Sequence, residues 1–321
     1  MQLYPIRFTP ILFEKVWGGQ RLQTLLQKPS SSDRIGESWE ISGVTDQESQ
    51  VSNGIYQGIK LPELVVQFQE QLVGKRVYAQ FGNQFPLLFK FIDAREDLSV
   101  QLHPDDQVAF QRHQSFGKTE MWYIFHADPG AELILGFNRP MDRELFKEYL
   151  TRNQLSQILH RQKVHAGDVF YIPPGCVHAI GGGIVLAEVQ QSSDITYRVY
   201  DWDRPDIHGQ MRELHTELAL DVIDYQNSKE NKINYSSATV SQLVQNQYFD
   251  TSLLRLQGSL QRDLSLIDSF VVYMCVDGAG KIQLGESFEE FRLGDTLLIP
   301  AAAQQLTLYA EQATLLEVYV P

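Results

Sequence analysis

The stretch Gly167-Asp168-Val169-Phe170-Tyr171-Ile172-Pro173-Pro174-Gly175-Cys176-Val177-His178 constrains the fold more than any other part of the chain. Its order is glycine, five residues, proline, one residue, glycine, two residues, histidine. That spacing predicts two β-strands joined by a tight Pro-Gly turn, with a histidine just inside the second. Proline presets φ and glycine permits a positive φ, so the turn determines where the ring points. A histidine held this way on a barrel wall is a candidate metal ligand. Upstream, Gln101 and His103 share one face of a predicted strand, because strand side chains alternate. Glu120, in Gly117-Lys118-Thr119-Glu120, offers a further ligand. The pattern points to a metal site inside a small β-barrel.

The rest of the chain supports a mainly β protein. It has 321 residues, enough for two domains. Phe85–Ile92, Leu98–His103, Trp122–Phe125 and Glu132–Leu135 read as strands. Helices are expected over 61–73, from Pro104 through Phe110, over 142–150 and over 211–224. The polar stretch 225–234 reads as a linker. Beyond it, Gly294-Asp295-Thr296-Leu297-Leu298-Ile299-Pro300 echoes Gly167–Pro173 at an offset of 127 residues. In this second copy Gln305 stands where His178 stands in the first. The element is repeated and the ligand is lost, which suggests a duplicated barrel. The expected domains are therefore 1–230, carrying the metal site and helical insertions, and 235–321, a degenerate second barrel.

Charge and composition narrow the function. The net charge of −13 disfavours nucleic acid and anionic membranes as partners, while leaving room for a small anion held by a local cationic cluster. No apolar run approaches the roughly 18 residues a membrane span needs, and the N-terminus lacks signal-peptide character. Two cysteines cannot form a disulfide framework. A reduced, cytoplasmic protein, monomeric or a small homo-oligomer, is expected.

Three blocks in order resemble the cupin superfamily and, within it, the short bacterial class I mannose-6-phosphate isomerases. They are Phe85–Lys90 through Leu98–Asp105, then Gly117–Glu120, then His178-Ala179 through Glu188, Ser193-Asp194 and Tyr197-Arg198. The sequence departs from the long-form members at Gly117, where they often carry histidine, at Thr119, where they carry proline, and by one residue of spacing after His178. The resemblance implies two jelly-roll cupin barrels with a few inserted helices. It also implies zinc-dependent interconversion of mannose 6-phosphate and fructose 6-phosphate through a cis-enediol.

That chemistry requires a Lewis acid, a proton carrier and a phosphate grip. The candidate metal ligands are Gln101, His103, Glu120 and His178. The resemblance selects Zn²⁺, whereas the donor types alone also suit Mn²⁺, Fe²⁺ or Co²⁺. Arg198 is the first candidate for phosphate because its planar fork allows bidentate contact. Lys90, which interrupts an apolar strand and so needs a partner, and Ser99 are further substrate-binding candidates. Lys118, Glu188 and Asp194 are candidate proton carriers. Trp17 and Trp39 are expected in the core, and Cys176 as an inert packed thiol. The competing readings are a non-enzymatic or regulatory sugar-binding cupin and another metal cupin enzyme, such as a dioxygenase, which usually prefers three histidines.

Overall fold

A computed structural model describes residues 3–226 and 231–321. Its regular structure is mainly three antiparallel sheets. The strand Leu87–Ala94 is apolar except at Lys90 and Asp93 and is buried along its whole length, as a central strand should be. It lies in a seven-stranded sheet with the spatial order Lys232–Ile233, Val169–Ile172, Glu120–Ala127, Ile184–Gln191, Leu87–Ala94, Ile11–Gly19, Ile35–Ile41. A five-stranded sheet, Tyr197–Tyr200, Val100–Leu102, His178–Ile180, Glu132–Phe137, Leu159–Lys163, shares a core with it. Trp17, Ile92, Trp122, Leu133, Ile180 and Leu186 pack in that core. Together the two sheets form the first barrel, of the cupin type expected.

The second barrel is an eight-stranded sheet built on the long strands Asp250–Asp263, Val271–Leu284 and Gln305–Tyr319. Leu254, Tyr273, Ile282, Leu297, Leu308 and Leu315 form its interior. Its edge is completed from the other end of the chain, since Ile6 and Arg7 pair with Leu298 and Leu297.

Several local expectations change. The helix over 61–73 is broken at Gln69, whose φ is 45°, giving Leu61–Phe68, Glu70–Val73 and a further helix Lys75–Phe81. Asp268 of the second barrel accepts hydrogen bonds from the backbone N–H groups of Lys75 and Arg76, capping that last helix from a distance. The helix over 211–224 shrinks to Thr216–Leu220. Met211 instead bridges to Pro205, and the Glu213 carbonyl accepts from Arg198, so the preceding turns are recruited elsewhere. Gly181–Gly183 carries the chain from His178–Ile180 in one sheet to Ile184–Gln191 in another.

Of the stretch read as a linker, 227–230 lie outside the described residues. Asn231 is buried, its carbonyl accepting from Tyr171 N and its Nδ2 lying 3.3 Å from Cys176 Sγ. Lys232–Ile233 joins the seven-stranded sheet. The described residues include no helix long and apolar enough to cross a membrane.

Candidate active site

The Pro173-Pro174-Gly175 turn does what its residue types predict. Gly175 takes φ +77° and the chain re-enters a strand at His178, which is buried. Across the strand pair His178 faces Gln101. His103 follows two residues later, and Glu120 opens the strand Glu120–Ala127 from the other sheet. His103, Glu120 and His178 offer ligand atoms all within 4.8 Å of one another. His103 Nε2 lies 3.2 Å from Glu120 Oε1, and His178 Nε2 lies 3.9 Å from Glu120 Oε2.

The tautomers follow from the hydrogen bonds. His103 Nδ1 bonds to the Ile195 carbonyl at 2.8 Å and His178 Nδ1 to the Cys176 carbonyl at 2.9 Å. A carbonyl only accepts, so each Nδ1 carries the proton and each Nε2 presents a lone pair. Both Nε2 atoms and Glu120 Oε2 are buried without a hydrogen-bond partner among the described residues. Burial, reinforced by the neighbouring Lys118, pushes the His103 ring down to about 3, and burial likewise lowers His178, so both rings are neutral. Orphaned lone pairs on neutral imidazoles beside a carboxylate are costly unless a cation occupies the space between them. The donor set therefore fits a divalent metal.

Of the trio, His178 lines a cavity of about 460 Å³. Lys118, with Nζ 3.0 Å from Glu120 Oε1, and Glu188 line its buried end. Glu188 Oε1 lies 3.0 Å from Lys90 Nζ, and Glu188 Oε2 accepts from Trp122 Nε1 at 2.8 Å. Burial, then the nearby Glu120, raises the Glu188 carboxyl despite Lys90. Asp194 is exposed at the rim. Ser99 Oγ donates to Gln101 Oε1 at 3.1 Å and accepts from Arg198 Nε at 3.2 Å. Every candidate residue thus reaches one cavity or its ligand cluster. Gly117 also has a physical reason: a Cβ there would sit 2.6 Å from the backbone of Asp105 and Asp106, so no side chain fits.

Other wall residues carry weaker sequence signals. Phe13, Lys15 and Trp17 alternate along one strand, Glu37 and Trp39 along another, and all five line the cavity. That period-two alternation was the available clue. Trp17 and Trp39 are buried, as expected of core residues, yet both also line the cavity. Burial alone would raise the Glu37 carboxyl, but Lys15, Lys90 and the Trp39 N–H outweigh it and hold it at about 2. Arg212 carries no sequence signal for the site, because it falls within the segment that reads as a helix over 211–224, and the structure places it in the non-helical run before Thr216–Leu220.

A jelly-roll barrel with a buried His-Glu-His cluster at a polar cavity is a metal-binding cupin. Comparison with known proteins makes the class specific. Residues 6–132 match the family model for the catalytic domain of type I phosphomannose isomerase. The chain is 36% identical over 318 residues to mannose-6-phosphate isomerase ManA of Bacillus subtilis, covering 97% of this chain and 98% of that protein. It is also 36% identical to the mannose-6-phosphate isomerase of Streptococcus mutans, over 92% of each. The crystal structure of the mannose 6-phosphate isomerase from Bacillus subtilis superposes with a TM-score of 0.89 at 32% identity, covering 98% of this chain and 99% of that one. The chain belongs to the type I phosphomannose isomerases.

Proposed function

We propose that this protein interconverts mannose 6-phosphate and fructose 6-phosphate with a divalent metal, and that its working groups are those gathered in the cavity. The observation that carries this reading is the pair of tautomer-locked, neutral histidines aimed at Glu120, with an unpaired arginine in the same cavity. Lys15, Lys90 and Lys118 each face a carboxylate, whereas Arg198 has no carboxylate partner among the described residues. A half-buried guanidinium without a counter-ion suits an anionic substrate.

His103, Glu120 and His178, with the Gln101 amide oxygen as fourth donor, would hold the metal; Zn²⁺ suits this set best, and Mn²⁺, Fe²⁺ and Co²⁺ are compatible. When bound, the metal supplies Lewis-acid stabilisation of the negative charge that develops on the substrate oxygens. The remaining tasks fall to this chain's own side chains. Arg198, with Ser99 bracing its Nε, grips the phosphate and sets the sugar's direction. Lys90 holds Glu188 Oε1 in place and presents positive charge toward the sugar oxygens. Isomerisation requires a proton to leave one of C1 and C2 and return to the other. Lys118 Nζ and the Glu188 carboxyl are at the water-poor end, where a proton is retained between steps, and Asp194 at the rim is exposed to exchange.

The test is turnover of mannose 6-phosphate before and after chelation, then after Zn²⁺ restoration. Activity should disappear with the metal and return with it. Folded, metal-replete protein without turnover would return the site to the sugar-binding reading.

A further inference from the structure

Arg212 shares the cavity with Arg198, and the surrounding chain is built to keep it there. Its Nε and Nη2 donate to the two oxygens of Asp201 at 2.6 and 2.5 Å. Asp201 is buried, and the two residues after it, Trp202 and Asp203, adopt φ values of 59° and 51°. Two successive non-glycine residues in the left-handed region are costly, and such strain persists only where the surroundings impose it. Here they do. Trp202 Nε1 donates to the Leu98 carbonyl at 2.8 Å, and Arg204 donates to the Asp97 carbonyl. The turn is thereby bolted to the segment that continues into Ser99 and Gln101.

The free donors are what remain. Arg198 uses Nε on Ser99 and Nη1 on the Glu213 carbonyl, and Arg212 uses Nε and Nη2 on Asp201. Arg198 Nη2 and Arg212 Nη1 have no partner among the described residues. After burial, the nearby Arg212 is the main influence lowering the Arg198 guanidinium, so the two charges repel within the cavity. Like charges brought together on braced supports are stabilised by an anion between them.

We propose that Arg198 and Arg212 form a two-guanidinium clamp for the substrate's phosphate, and that Asp201 is a positioning residue that aims Arg212. The inference rests on the isomerase reading of the cavity. It places the phosphate at the Arg198–Arg212 wall and the reacting carbons at the His178–Lys118 end.

The experiment measures KM and kcat for mannose 6-phosphate and the inhibition constant of inorganic phosphate in R212A, R212K, D201N and R198A, each with its melting temperature. R212A should raise both KM and the phosphate inhibition constant about tenfold or more with a smaller change in kcat. R212K should recover part of the loss, because it restores charge without the fork. D201N should behave as a milder R212A. If R198A weakens phosphate inhibition while R212A and R212K do not, the clamp is wrong and the single-arginine site stands. If the Arg212 variants melt early yet their folded fraction keeps a normal inhibition constant, Arg212 is only a brace and the proposal fails. If neither arginine affects phosphate inhibition in an active enzyme, the phosphate lies elsewhere and both assignments fall.

Discussion

In the first barrel Gly167, at φ 92°, leads into Val169–Ile172 and a turn that delivers buried His178; in the second, Gly294, at φ 90°, leads into Thr296–Ile299 and a turn that delivers exposed Gln305. Asp168 accepts from the backbone N–H three residues earlier, and Asp295 does the same, both at 3.0 Å. The register extends the match. Ile172 lies opposite Glu120 and Ile299 opposite Val271, so an apolar residue stands where the candidate metal carboxylate stands in the first barrel. Trp122 lies opposite Glu188 and Tyr273 opposite Glu317, and in both pairs the aromatic group donates to the carboxylate, at 2.8 and 2.6 Å.

The two barrels therefore keep the same turn and the same buried aromatic–carboxylate pair and differ in what faces that pair. Glu188 looks into a cavity. Glu317 is closed off by Arg262, whose Nε and Nη2 reach it at 2.9 and 2.6 Å. A buried carboxylate must be compensated. One barrel does so with Lys90 and leaves space for a ligand, and the other does so with a partly exposed arginine that engages both carboxylate oxygens. The absence of counterparts to His178 and Glu120 is compatible with an intact barrel because the turn and the apolar core define its shape.

The sharpest challenge to this contrast is an exchange of one position. His178→Ala should reduce turnover about a thousandfold while the protein stays folded, with metal content falling alongside; the matching change Gln305→Ala should leave turnover and metal content unchanged. A comparable loss in both would erase the difference between the barrels. Next, Glu188→Gln should lower kcat by about 100-fold or more, read by steady-state kinetics. Glu317→Gln should instead destabilise the fold by about 3–5 kcal/mol in denaturant titration, with turnover per folded molecule retained. The smallest effect concerns Glu37. Its carboxyl is held at about 2 in the folded protein, below the ordinary 4.5. A depressed carboxyl contributes stability that is full above the unfolded value and is lost as pH falls toward the folded one. Wild type should therefore lose about 3 kcal/mol more than Glu37→Gln between about pH 5 and pH 2. Parallel curves would mean that the Lys15–Glu37–Lys90 wall adds nothing to the fold.

Much of the site was legible because it depends on short-range geometry. The Pro-Gly turn orients His178 within a few residues, and strand alternation puts Gln101 and His103 on one face. Asp105 and Asp142 cap helices where a polar residue before a periodic segment predicts a start. The helix expected over 211–224 is confined to Thr216–Leu220 for the converse reason. Its apolar spacing is helical, but Arg212 and Glu213 are drawn into contacts with Asp201 and Arg198, neighbours the linear pattern does not contain.

The sequence by itself determined the β character, the candidate metal ligands, the duplicated turn and the family, since each resides in residue type and near spacing. Tertiary structure alone decided that the first strand completes the second barrel, that Lys90 pairs with Glu188, and that Arg198 and Arg212 share one wall while Asp194 stays at the rim. Those facts depend on which distant segments meet. Burial then decides whether a charge is compensated by a neighbour or left available to a ligand.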